Sequence, residues 1–154
     1  MDAADQGMTP QRQEEVEERL RLAKGFLATT ELPANANEYE IRNALSRCYY
    51  AMYHVCNALL AAKGDPPRTR HKDLQKEIRH SLGDPFSDNL KKWQVRREHA
   101  DYRSDWVAQA YSGDVKQLRD AAVTILEEVR TEFERYRELI TTEEAKSEAP
   151  DERG

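Results

Sequence analysis

The chain has two cysteines, six glycines and six prolines in 154 residues, and no apolar run long enough to cross a bilayer. Each scarcity excludes something. A membrane helix needs about 18 consecutive apolar residues, and the opening MDAADQGM lacks the basic-then-apolar order of a leader, so a cytoplasmic protein with no membrane contact is expected. Cys48 and Cys56 lie eight apart in one helical pattern, where they cannot meet without unwinding it, and no CxxC accompanies them. They read as reduced packing residues. With so little Gly and Pro, and with 38% apolar and 34% charged residues, the composition suits amphipathic helices with wide solvated faces better than a strand-rich fold. Also missing are a glycine-rich phosphate loop, HExxH, a Cys/His zinc spacing, a calcium loop and GxSxG. The best-marked enzyme classes therefore have no support, and neither a metal nor a cofactor is expected.

A net charge of −5 argues against a general nucleic-acid coat, yet the charge is uneven. Between Arg68 and Arg103 there are ten Lys or Arg against six Asp or Glu, a local +4 that leaves −9 for the remainder. His71, His80 and His99 also fall there. A polyanion would be drawn to this segment first, although a solvated helix pair whose charges balance locally would look the same.

What is present is helical periodicity. Thr9-Pro10 supplies an N-cap and a first-turn proline, and Val16, Leu20, Ala23 and Leu27 follow as one stripe, predicting a helix over about 10–29. Asn37 and Glu40 have capping-box spacing ahead of a helix over about 38–63, which carries Ile41, Leu45, Cys48, Met52, Val55, Cys56, Leu59 and Leu60 and stops at Gly64 before Pro66-Pro67. This most apolar helix should be central. Shorter helices are expected over about 70–81, on Leu74 and Ile78, and about 87–101, on Leu90, Trp93 and Ala100. A long one should run from an Asp114 cap to about 140 on Leu118, Ala122, Ile125, Val129, Phe133 and Tyr136. Residues 1–9 read as a disordered lead-in and 141–154 as a disordered acidic tail, leaving 10–140 as one domain. The expected fold is an all-α antiparallel bundle of four to five helices.

The stretch from Ser46 to Leu60, SRCYYAMYHVCNALL, resembles the SRxYYAxFHAxxALL helix of a bacterial and archaeal branch of the HEPN family (higher eukaryotes and prokaryotes nucleotide-binding). Downstream, Arg70-His71 falls where that branch has RTH, and Arg97-Glu98-His99-Ala100-Asp101-Tyr102 is similar to its RxxADY segment. The resemblance covers about 10–140. It implies a helical bundle, commonly a homodimer, that binds RNA or a nucleotide; many members are metal-independent ribonucleases acting as toxins or defence components, and some pair with a minimal nucleotidyltransferase antitoxin. Catalytic members carry Arg, four to six residues, then His. Here the positions after Arg97 that should offer His are Tyr102, Arg103 and Ser104, and those after Arg96 are Asp101, Tyr102 and Arg103. That departure favours the alternative, a non-catalytic interaction module holding a partner protein.

Two clusters are candidates for the chemistry. Arg47 and His54 have the family spacing within one helix; seven residues turn it to within about 20° of the same face, with Tyr50 between them. Such a trio would equally serve as a buried polar cluster binding helix to helix. The second cluster is Arg97, His99, Asp101 and Tyr102, in which Arg97 and Asp101 form an i, i+4 pair but His99 lies about 200° around the helix from Arg97. It would equally serve as a salt-bridged helix end. Arg97 is expected at an exposed end, where truncation leaves little void, and Arg70, His71, Lys72, Arg96 and Arg103 are the expected nucleic-acid contacts.

Overall fold

The structure is a computed structural model that describes residues 9–66, 68, 70–104 and 115–148. Among these, about 85% are helical and none is in a strand, so the fold is an all-α helical bundle. The five helices are α1 (Pro10–Ala28), α2 (Glu38–Ala62), α3 (His71–Leu82), α4 (Asp84–Tyr102) and α5 (Val115–Glu148). The expected Asp114 cap, Pro67, residues 1–8 and 149–154, and the side chain of Val129 lie outside what is described.

Local chemistry sets the helix ends. The Thr9 hydroxyl accepts from Arg12 N at 3.1 Å. Asn37 and Glu40 close the capping box, Glu40 N donating to Asn37 Oδ1 at 2.9 Å and Asn37 N to Glu40 Oε1 at 3.2 Å. α2 ends in a Schellman pattern: Gly64, at φ +92, donates to Ala61 O and Asp65 N donates to Leu60 O. A Cβ at Gly64 would be strained there and would also stand 3.0 Å from the Arg12 guanidinium.

Two boundaries differ from the periodic reading. α4 begins at Asp84 rather than 87, because Pro85 is tolerated in a first turn and Phe86 is drawn onto Tyr136, ring centroids 5.5 Å apart. α5 continues to Glu148, so 141–148 is helix and not a disordered tail. The apolar stripe stops at Ile140, but Glu, Ala and Lys favour helix, and Glu143 pairs with Lys63 at 3.6 Å, tying the extension to the end of α2.

α2 is the hub, touching every other helix. From Ile41 to Ala62 its aliphatic side chains are essentially without solvent contact and merge with Val16, Ala23, Leu74, Ile78, Leu90, Trp93, Leu118, Phe133 and Tyr136 into one core. Both thiols are buried within it, and burial pushes the Cys48 thiol up to about 12 and that of Cys56 higher still, so neither forms a thiolate near neutral pH. α1 and α4 run antiparallel to α2: Arg12 lies by Gly64 and Phe26 by Tyr50, while Ser46 meets Asp101. α5 runs antiparallel to α4, through Trp93 to Glu132 and Arg96 to Glu128, and therefore parallel to α2. No helix among the described residues is long and apolar enough to cross a membrane.

Candidate functional site

Every polar residue in the quoted stretch of α2 has a task on a neighbouring element. Asn57, fully buried, clamps the backbone of Arg68: its Nδ2 donates to Arg68 O at 3.1 Å and its Oδ1 accepts from Arg68 N at 2.8 Å. The Tyr53 hydroxyl donates to the same carbonyl at 2.8 Å. These bonds pin the chain just before α3 and deliver His71, the first residue of α3, onto α2. There its Nδ1 shares a hydrogen bond with the buried Tyr49 hydroxyl, and its ring lies 5.2 Å from that of Tyr49 and 5.5 Å from that of Tyr53.

Arg97 reaches the same tyrosines from α4. Its guanidinium sits 5.5 Å from the Tyr49 ring and 5.7 Å from the Tyr50 ring, and its Nη1 donates to Asp101 Oδ2 at 3.3 Å. Only 8% of Arg97 is exposed, so the expected exposed helix end is corrected: this is a buried arginine whose stem is part of the packing. Burial desolvates it, but the Tyr50, Tyr102 and Asp101 groups around it outweigh that and hold its pKa above the usual value. Its Nε is buried with no hydrogen-bond partner among the described residues.

The end of α4 is itself tied down by α2. Arg42 donates to Ala100 O at 2.8 Å and Arg103 O at 2.9 Å, capping the terminal carbonyls, while Glu38 holds Arg42 at 3.2 Å. Ser46 Oγ donates to Asp101 Oδ2 at 3.2 Å. Sequence reasoning missed Arg42, Ser46, Tyr49 and Asn57; the available signal was polar side chains recurring inside the most apolar helix.

Arg47, Tyr50 and His54 do share a face, and Phe26 of α1 is what gathers them. His54 stacks on Phe26 at 5.4 Å, the Tyr50 ring lies 5.6 Å away and the Arg47 guanidinium stands 5.6 Å from the ring centre. Tyr50 therefore touches both clusters and joins them into one half-buried wall of arginine, imidazole and phenol. Within the subunit, Phe26 from α1 meets Tyr50, and His71 from α3 meets Tyr49 and Tyr53.

The imidazoles are both neutral near pH 7. Burial, with the Arg19 charge second, lowers His54 to about 4, and burial, with the Arg97 charge second, lowers His71. Arg19 Nη1 lies 3.3 Å from His54 Nδ1, and a guanidinium can only donate, so Nδ1 accepts and Nε2 carries the proton. Burial raises the pKa of Tyr49, keeping its hydroxyl protonated, and His71 Nδ1 is its one hydrogen-bond partner among the described residues. Donation from Tyr49 avoids an orphaned O–H and leaves the proton of His71 on Nε2 as well.

The lowered His54 has a consequence for stability. A histidine whose folded pKa lies below its unfolded value contributes stability that is complete above about 6.5 and is lost as pH falls toward about 4. His54→Phe is expected to flatten the fall in Tm across that window, as followed by circular dichroism melts. A slope identical to the wild type's would show that His54 is not buried as described.

The remaining expected contacts are scattered. Arg96 turns to a different side of α4, 4.7 Å from the Trp93 ring centre and 3.3 Å from Glu128, and so braces α5 instead of joining Arg97. His99 lines a separate groove with Lys91, Lys92, Val95, Arg96 and Ile125, as its angle around the helix requires. Arg70 and Lys72 are exposed at the start of α3, Arg103 is exposed just past α4, and Tyr102, the last residue of α4, is also exposed. Among the described residues no three His, Cys, Asp or Glu side chains converge so as to hold a metal ion.

A family model described as HEPN domain matches residues 16–136. No curated protein matches the chain in sequence.

Proposed function

The chain belongs to the HEPN domain family, and from that premise we propose that it binds RNA or a nucleotide by a phosphate, on the face where Arg97 and His71 meet around Tyr49. One observation carries this reading: a buried, permanently charged guanidinium with an unpartnered Nε stands beside a neutral imidazole on one aromatic platform. A cation and an N–H donor fixed in a half-buried wall are complementary to phosphate oxygens. The local +4 of the surrounding segment adds long-range attraction.

A second reading, a metal-independent ribonuclease acting as toxin or defence component, draws support from the same pairing. Arginine would stabilise charge developing on the phosphorane and histidine would move the proton of the 2′-hydroxyl. A general base needs a bare ring nitrogen. His71 offers one at Nε2 only if Nδ1 donates to Tyr49, the less favourable direction, so the binding reading leads. The homodimer and the nucleotidyltransferase partner implied by family likeness remain proposals, read out by light scattering and by copurification with that partner.

Incubation of labelled single-stranded RNA with the protein in excess chelator separates the readings. Binding predicts retarded, intact RNA on native and denaturing gels. Chelator-resistant cleavage would select the ribonuclease. Absence of any complex with RNA or nucleotides would overturn both.

A further inference from the structure

We infer that the cleft between the start of α2 and the end of α4 seats a nucleobase stacked on Tyr39 or Tyr102, beside the phosphate held at Arg97; this rests on the binding reading above. Tyr39 and Tyr102 are each 76% exposed, whereas Tyr49 and Tyr136 have no solvent contact. Both exposed rings line one cleft, together with Glu38, Arg42, Asp101 and Arg103. They stand on the second residue of α2 and the last of α4, sites far apart in sequence that Arg42 locks together through the carbonyls of Ala100 and Arg103. The two rings are thus mounted on a braced corner, and ordering them on binding costs little backbone freedom.

The surroundings favour a base over an apolar partner. A protein contact would find only two rings in a rim of charge, while a base needs a π-face and an edge partner. Asp101 supplies the edge: among the described residues its hydrogen bonds, from Ser46 and Arg97, fall on Oδ2, which leaves Oδ1 to accept from a base amino group. Asp101 also links the cleft to the charged wall, since the residue that lines the cleft is the one that holds Arg97. A base in the cleft and its phosphate at Arg97 would therefore engage both ends of one short relay.

The test is fluorescence anisotropy of the full chain with a short labelled single-stranded RNA, the same strand carrying abasic sites, and unlabelled mononucleotides as competitors. Tyr39→Ala removes an exposed ring and should leave the melting temperature unchanged; Tyr102→Ala also removes a phenol that hydrogen-bonds Arg97, so its control is Tyr102→Phe, which loses that bond but keeps the ring. At least one of the Ala variants should weaken RNA binding by about tenfold, the size of one lost stacking contact. The matching Phe variant should restore binding, and the abasic strand should bind wild type as weakly as the Ala variant binds RNA. Competition by mononucleotides that depends on the tyrosine would identify a free nucleotide as the occupant, and its absence an RNA strand; either supports the base site. If both Ala variants bind RNA and the abasic strand as wild type does, the base site is wrong while phosphate binding stands. If wild type binds neither RNA nor mononucleotides, the underlying reading fails and takes the base site with it.

Discussion

Replacing Arg97 with alanine is expected to weaken RNA or nucleotide binding by on the order of tenfold to a hundredfold, the size of a lost charge-assisted hydrogen bond. It should also cost on the order of 1–3 kcal/mol of stability, because the stem packs against Tyr49 and Tyr50 and because Asp101 loses its cation. Arg97→Met separates the two effects. Methionine keeps much of the buried volume but neither the charge nor the donors, so urea melts should place it nearer to wild type than Arg97→Ala while binding stays as poor. A folded Arg97→Met protein that binds RNA with wild-type affinity would remove Arg97 from the site.

The largest loss of stability at the site is expected not from a charged residue but from Asn57. Asn57→Ala leaves the part-buried Arg68 N–H without its acceptor, removes one of two donors from the Arg68 carbonyl and opens a small void in the most apolar helix. Together these should cost about 2–4 kcal/mol. Because the clamp sets where α3 begins, the same change should loosen the Tyr49–His71 hydrogen bond and weaken ligand binding even below the melting transition. Hydrogen exchange would read this as faster exchange at the start of α3, with the middle of α2 still protected. Uniform loss of protection would mean that Asn57 serves the global core alone.

The two variants illustrate what was legible in the sequence. Helix stripes, the Asn37–Glu40 box and the Gly64 stop are local patterns, each decided within a few residues, and they fall where the periodicity puts them. α5 outran its stripe because the tether from Glu143 to Lys63 joins residues 80 apart, beyond any pattern in the tail itself. The site was half legible for the same reason. Arg47, Tyr50 and His54 share a face by helical spacing, but Phe26, which gathers them, lies on another helix.

His71 is the clearest case. A search for Arg followed by His at a fixed spacing looks along one helix, and after Arg97 and Arg96 it finds none. The imidazole beside Arg97 arrives instead from α3, through a loop that Asn57 and Tyr53 hold. Arg97 itself was misjudged as an exposed end because charge and chain position do not reveal which face of α4 meets α2. The two arginines of that segment, half-buried Arg96 toward α5 and buried Arg97 toward Tyr49, are adjacent in sequence and about 100° apart around the helix.

The central claim, that phosphate is held by Arg97 and His71 and not in the groove beside His99, is tested most directly by long-range proton–nitrogen NMR of the histidine rings during titration with single-stranded RNA. The account predicts that free His71 and His54 carry their protons on Nε2, that added RNA shifts the Nε2 signal of His71, and that His99 stays unchanged. A shift confined to His99, with His71 unmoved at saturating RNA, would contradict it.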